Sequence, residues 1–191
     1  PNNAELLITR GKTYFKMASS DIYKKAPRPL LEKAISDYTA AISKTGISVK
    51  AKSDAFINRG AALGMAGKFE ECINDITNGI KLDPDNKTAY ANRSFAYMNL
   101  GQYEKALADY QECLRIDPLD ANFWYESGLV LRSFQRYPEA KSALDKAIQF
   151  NPKLELAYLE RARVQALTGN YAAAGQDYQV AVKLGAALQP L

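Results

Sequence analysis

The sequence contains no histidine among its 191 residues. This absence excludes Ser–His and Cys–His catalytic pairs, imidazole metal sites and histidine pH switches. Only 2 cysteines are present, so the chain cannot carry the disulfide framework of a small secreted protein. No run of about 18 apolar residues occurs, and we therefore expect no membrane span. With 47% hydrophobic and 24% charged residues, the composition is typical of a globular protein.

The sequence also lacks the motifs of common enzymes and nucleic-acid-binding proteins. It has no phosphate-binding glycine loop, no Ser-x-x-Lys motif and no metal-ligand cluster, so we expect no enzymatic activity, no cofactor and no metal. Basic side chains outnumber acidic ones in residues 1–52 but not in the rest of the chain. Because no basic stripe continues beyond residue 52, we do not expect a nucleic-acid partner.

A regular period organises most of the chain. Pro84, Pro118 and Pro152 stand 34 residues apart, each after an apolar and a polar residue. Four blocks of equal length, 53–86, 87–120, 121–154 and 155–188, therefore align without gaps, and we call them repeats 2 to 5. A fixed period of this length is typical of stacked supersecondary units.

Each repeat has the pattern of two helices. Large side chains recur at the fourth, seventeenth and twenty-fourth places, and small ones at the eighth, twentieth and twenty-seventh. This spacing predicts two amphipathic helices whose small residues let the backbones approach. Between them lie Gly67, Gly101 and Gly169 in three of the four repeats, and glycine can take the left-handed conformation that ends a helix. We therefore predict antiparallel helix pairs.

A degenerate repeat 1 occupies residues 4–48. Gly11 and Ala34 occupy its small places, but the distance between them is longer than in the other repeats. The difference predicts an insertion at about residues 19–29, where Pro27 and Pro29 exclude a continuous helix. A shorter irregularity is predicted at residues 44–52, before repeat 2.

These repeats resemble the tetratricopeptide-repeat family, which shares their period and their pattern of aromatic, glycine, alanine and proline residues. The resemblance implies an all-α fold: one domain over residues 1–191, built as a right-handed superhelical solenoid of about five antiparallel helix pairs. It also implies a non-catalytic role in protein–protein interaction, with a protein or peptide partner bound in a concave groove. A structural scaffold, or self-assembly through the solenoid ends, is the alternative.

The resemblance further implies that the groove is lined by the face of each first helix that lies opposite its core stripe. Three kinds of side chain fall there. They are amides for a ligand backbone (Asn58 and Asn92), an apolar floor (Phe95, Met98, Tyr125 and Leu129) and a charged fringe (Glu126, Arg132, Glu160 and Arg163). The alternative for the apolar group is packing between neighbouring repeats. The cations with which chaperone-binding members hold a C-terminal carboxylate are missing, so that kind of binding is not expected.

A charge pattern links the two helices of each repeat. Arginine at the seventh place and aspartate at the twenty-third occur together in four repeats and are lost together in repeat 4. The pairs are Arg10 and Asp37, Arg59 and Asp75, Arg93 and Asp109, Arg161 and Asp177, against Ser127 and Ala143 in repeat 4. This joint loss predicts an Arg–Asp contact within each repeat. We expect the pairs to be partly exposed and to contribute about 1 kcal/mol or less.

Two further expectations concern environment and assembly. Cys72 and Cys113 fall at small core places, so we expect buried thiols, which favours a reducing compartment such as the cytoplasm. Because the chain begins at Pro1, a periplasmic location after removal of an N-terminal signal stays open. The last predicted helix is rich in alanine and valine, and too few residues follow it to form a capping helix. We expect a second copy to cover this end, giving a homo-oligomer, or the native chain to continue.

Overall fold

A computed structural model describes residues 3–20 and 28–185. Within these ranges the chain forms ten α-helices and no strand. The helices are α1 (Asn3–Ala18), α2 (Arg28–Ile42), α3 (Val49–Met65), α4 (Phe69–Leu82), α5 (Lys87–Asn99), α6 (Tyr103–Ile116), α7 (Ala121–Ser133), α8 (Tyr137–Phe150), α9 (Glu155–Leu167) and α10 (Tyr171–Leu184). None of these helices is long and apolar enough to cross a membrane.

The helices belong to two compact units. The N-terminal unit, Pro1–Gly101, contains α1 to α5, and the C-terminal unit, Gln102–Leu191, contains α6 to α10. Within the units, consecutive helices pack in pairs: α1 with α2, α3 with α4, α7 with α8, and α9 with α10. The predicted all-α fold of helix pairs is confirmed, and the ten described helices fit about five repeats.

Small residues permit the close approach of the two helices in a pair. A Cβ atom added at Gly60 on α3 would lie 2.5 Å from Cγ1 of Ile76 on α4. One added at Gly128 on α7 would lie 2.7 Å from Cγ of Leu144 on α8. Both distances are too short for non-bonded carbon atoms, so the eighth place of repeats 2 and 4 has room only for glycine, whereas repeats 3 and 5 accommodate the small side chains of Ser94 and Ala162 there. The predicted role of this place is confirmed.

The predicted left-handed turns also occur. Gly67, Gly101 and Gly169 have φ angles of 78°, 69° and 81°. In repeat 4 the same place holds Gln135, and it adopts the same conformation with a φ of 59°. A residue with a Cβ atom pays about 1–2 kcal/mol for this conformation. The turn geometry therefore follows the repeat even where the glycine is missing.

Two predicted irregularities are shorter than expected. Helix α2 begins at Arg28, so Pro29 lies in its first turn, where the missing N–H of proline costs little. The last two residues of the insertion predicted at 19–29 are therefore helical, and residues 21–27 lie outside the described part of the chain. Helix α3 begins at Val49, inside the irregularity predicted at residues 44–52. Its start is capped by Ser48, whose Oγ accepts a hydrogen bond of 3.1 Å from the Ala51 N–H.

Arg–Asp pairs join the two helices of a repeat, as predicted. In each observed pair, two nitrogens of the guanidinium donate to both carboxylate oxygens, at 2.6–2.7 Å. The observed pairs are Arg10–Asp37, Arg59–Asp75 and Arg161–Asp177. The contact predicted between Arg93 and Asp109 stays a prediction.

The pairs are partly exposed, as expected, but the exposed part belongs to the arginines and not to the carboxylates. The side chains of Asp37, Asp75 and Asp177 are only 8%, 6% and 9% exposed. The arginine covers the carboxylate and fills the space above it. Removal of the arginine would therefore leave a partly buried carboxylate without its partner, which costs more than loss of a surface ion pair.

The two cysteines are buried, as expected. Burial in the helix pair α3–α4, together with the nearby Asp75 carboxylate, raises the pKa of the Cys72 thiol to about 11. At neutral pH this side chain is therefore a protonated thiol and behaves as a small hydrophobic residue.

Candidate functional site

The two candidate asparagines lie in the N-terminal unit. Asn58 on α3 and Asn92 on α5 occupy the same place in neighbouring repeats, and α3 packs against α5. Both side chains are half-buried. The Asn58 amide donates through Nδ2 to the Asp54 carbonyl at 2.6 Å, one turn earlier on the same helix. This bond uses one of its donors, so the Oδ1 of Asn58 is the group best suited to accept a ligand N–H.

Phe95, three residues after Asn92 on α5, has an exposed aromatic side chain. This large, apolar side chain is 51% exposed. Its ring contacts Phe69 at the start of α4 in an edge-to-face arrangement, with 6.3 Å between centroids. Met98, one turn later on α5, is half-buried. The place of Phe69 in the repeat pattern predicts a core residue, and nothing in that pattern indicates its contact with Phe95.

The charged candidates cluster in the C-terminal unit around one buried carboxylate. Glu160 on α9 is only 5% exposed. Its Oε1 accepts a hydrogen bond from Nη1 of Arg163, one turn later on the same helix. Nε of Arg132 on α7 lies 2.9 Å from its Oε2 as an ion pair, although the geometry does not satisfy a hydrogen bond. Glu160 was expected at the exposed fringe; it is instead a buried anion between two arginines, because α7 and α9 pack against each other.

Two further candidates adjoin this cluster. Glu126 on α7 is half-buried, and its Oε2 accepts a long hydrogen bond of 3.5 Å from the Tyr110 hydroxyl. Burial raises the pKa of Glu126, and the bond from Tyr110 only partly opposes this shift. Burial also raises the pKa of Tyr125 to about 12, with the Glu160 and Glu126 carboxylates acting in the same direction. Tyr125 is therefore a neutral phenol at physiological pH.

A depression adjoins the two arginines. It has a volume of about 330 Å³ and is lined by Arg132, Arg163, Ala166 and Leu167. Leu167, at the end of α9, is exposed. An apolar side chain could enter this depression while an acidic neighbour meets the guanidinium groups. Leu129, the remaining candidate on α7, is half-buried.

The ten candidate residues thus divide between the two units, four in the first and six in the second. The structure brings Tyr125, Glu126, Arg132, Glu160 and Arg163 together as one cluster. That both groups line a single groove stays a prediction. In the described ranges, no group of three or more acidic or cysteine side chains is arranged to hold a metal ion.

Comparisons with known proteins agree with this architecture. Family models described as tetratricopeptide repeats match residues 88–120 and 121–154. No curated protein matches the sequence.

Several solved structures share the fold. A tetratricopeptide repeat protein from Parabacteroides merdae is 25% identical, with a TM-score of 0.78 over 96% of this chain and 67% of that one. A MamA protein is 18% identical, with a TM-score of 0.76 over 99% of both chains. YrrB, described as a TPR protein with an unusual peptide-binding site, is 17% identical, with a TM-score of 0.67 over 90% of this chain and 84% of that one.

Proposed function

Because the chain belongs to the tetratricopeptide-repeat family, we propose that it binds an extended segment of a partner protein on the exposed faces of its first helices. The repeats support a protein-interaction module, and we further propose that the partner binds in the groove. A tetratricopeptide-repeat neighbour of similar fold, YrrB, is described as having a peptide-binding site.

The exposure of Phe95 is the observation that carries this proposal. Full burial of an exposed phenylalanine contributes about 1.5–3 kcal/mol, so the half of Phe95 that is still open to water would contribute about 1 kcal/mol on binding. Aromatic anchors dominate many protein interfaces. The edge-to-face contact with Phe69 holds the ring in place before a ligand arrives, so little side-chain entropy is lost on binding. The Phe95–Phe69 pair therefore suits an apolar side chain of the bound segment.

The asparagines supply the backbone contacts. In this proposal the Oδ1 of Asn58 accepts a peptide N–H, and the Asn92 amide makes a second bond at the same place of the next repeat. Such bonds orient an extended chain without selecting its sequence. In the C-terminal unit, Arg132 and Arg163 would then favour acidic residues in the partner, because two guanidinium groups share the single buried carboxylate of Glu160.

The test begins with a pull-down by the 191-residue chain and mass spectrometry to identify the bound protein. The affinity of a peptide from that protein is then measured by fluorescence anisotropy. Asn92→Ala should weaken binding by about 1–3 kcal/mol with little change in melting temperature, because a polar group of the ligand loses its partner. Phe95→Ala should weaken binding by a similar amount.

Leu119→Ala provides the matched control. Leu119 is exposed in the connection between α6 and α7, outside the proposed surface, so its truncation should leave affinity unchanged. If Asn92→Ala and Phe95→Ala bind as tightly as the parent and the Leu119 variant, the first-helix faces are not the binding site.

Self-association is a second candidate function, favoured by the exposed apolar residues of α9 and α10. Tyr171 is 73% exposed at the start of α10, and Leu167, Val182 and Leu184 are also exposed. We propose that a second copy covers this surface. Sedimentation equilibrium should show a dimer that Tyr171→Ser weakens and Leu119→Ser does not. A monomer at high concentration, or equal association of both variants, would count against this second function.

A further inference from the structure

Repeat 4 contains an open cavity at the place where repeats 1, 2 and 5 hold their Arg–Asp pair. The cavity has a volume of about 340 Å³ and lies in the C-terminal unit between α6, α7 and α8. Its walls are largely apolar. They include Leu107 and Leu114 from α6, Trp124 and Leu131 from α7, and Ala143 from α8. Ser127, at the seventh place, also lines it.

In repeats 2 and 5 the chain's own arginine extends into the corresponding place. The guanidinium of Arg59 binds Asp75 in its own repeat and donates through Nη1 to Thr39 Oγ1 of the preceding repeat at 2.9 Å. Arg161 binds Asp177 and donates through Nη1 to Asp145 Oδ1 of the preceding repeat at 2.7 Å. A charged, planar group on a long stem therefore lines this place when the pair is present.

The loss of both charges changes the chemistry of the place. In repeat 2 the corresponding depression measures about 270 Å³ and is lined by the charged Arg59 and Asp75. In repeat 4 the cavity is larger, and Ser127 and Ala143 replace the pair. Ser127 bonds its own helix, through Oγ to the Phe123 carbonyl at 2.8 Å. Repeat 4 thus has an uncharged pair of side chains at the place where repeat 2 has a charged pair.

Neighbouring charges do not convert it into a cation site. Glu139 is also part of the lining, but its carboxylate is engaged by Nε of Arg136 at 3.0 Å. One face of the Trp124 ring already has Nζ of Lys146 at 4.0 Å from its centroid. The exposed side chains of Gln111 and Ser142 lie at the edge and offer hydrogen-bonding groups.

We propose that this cavity binds a small, uncharged aromatic molecule. An enclosed core cavity of about 150 Å³ accepts benzene, so this larger space, although open to solvent at Gln111 and Ser142, has room for a two-ring compound. Apolar walls with a few polar groups at the edge are the usual composition of small-molecule sites. The absence of the aspartate removes the partner that a cationic ligand would need. This site is separate from the proposed peptide surface and does not depend on it.

Indole is the probe for the test. Titration of the 191-residue chain with indole, followed through leucine and alanine methyl signals by NMR, should give saturable shifts at Leu114, Leu131 and Ala143. The double substitution Ser127→Arg/Ala143→Asp rebuilds the pair seen in repeats 2 and 5. It should weaken indole binding by at least about tenfold, because the new pair narrows the space and replaces apolar lining with two charged groups that the ring would desolvate.

Two variants complete the design. Ser133→Arg makes the same change at the end of α7 outside the lining and should bind indole as the parent does. Ala143→Leu fills the cavity without a charge and replaces the double variant if that protein does not fold. Saturable binding that both filling variants abolish supports the proposal. No saturable shift up to the solubility of indole, or unchanged binding in a folded filling variant, overturns it.

Discussion

Arg161 offers the sharpest test of how the helix pairs are held together. Its guanidinium donates to both oxygens of Asp177, at 2.6 and 2.7 Å, and to Asp145 at 2.7 Å. Arg161→Ala removes the guanidinium that covers the Asp177 carboxylate, which is 9% exposed in the intact pair, whereas Asp145 keeps Lys141 at 2.8 Å. An unpaired buried charge costs about 3–5 kcal/mol, and we take the lower end because water reaches Asp177 once the arginine side chain is gone.

The predicted loss of about 3 kcal/mol corresponds to a fall of about 6–12 °C in melting temperature for a chain of this size. Far-UV circular dichroism during urea and thermal unfolding measures both quantities. Arg136→Ala is the matched control, because Arg136 makes an exposed ion pair with Glu139 on the same helical turn. We expect that variant to lose less than about 0.5 kcal/mol.

A double variant separates charge burial from simple loss of contacts. Arg161→Ala/Asp177→Ala removes both charges, so it should be more stable than Arg161→Ala alone even though more atoms are deleted. The reasoning is refuted if Arg161→Ala costs no more than Arg136→Ala, or if the double variant is less stable than the single one.

Four further substitutions test local features. Gly60→Ala should lower stability to urea by about 1–3 kcal/mol, since the new Cβ would lie 2.5 Å from Cγ1 of Ile76. Gly175→Ala, with no described heavy atom within 4 Å of the added Cβ, should raise it by about 0.5–1 kcal/mol. Gln135→Gly should raise it by about 1 kcal/mol, because glycine adopts the φ of 59° without strain. The raised pKa of Glu126 means that stability falls as pH rises from about 4.3, the unfolded value, through the folded pKa. Glu126→Gln should therefore have the same melting temperature as the parent below about pH 4 and a higher melting temperature than the parent at pH 7.

Much of this architecture could be predicted from the order of the residues. The period, the small residue at Gly60, the left-handed Gly67 and the contact between Arg59 and Asp75 all follow from spacing along the chain. Such features depend only on how a helix packs against the other helix of its pair, and this packing recurs in repeats 2 to 5. Local geometry of this kind appears in a sequence as periodicity. The joint loss at Ser127 and Ala143 was equally visible in the sequence, although the cavity that results from it was not.

Burial of the polar side chains was decided by tertiary structure. Glu160 occupies a place expected to face the groove, yet Arg132 from a neighbouring repeat closes over it. The exposure of Phe95 likewise depends on how α4 and α5 lie against each other, through the contact with Phe69. A one-dimensional pattern assigns each residue to a face of its own helix. Whether that face meets water, a carboxylate or another ring depends on side chains from adjacent repeats, which no spacing within one helix records.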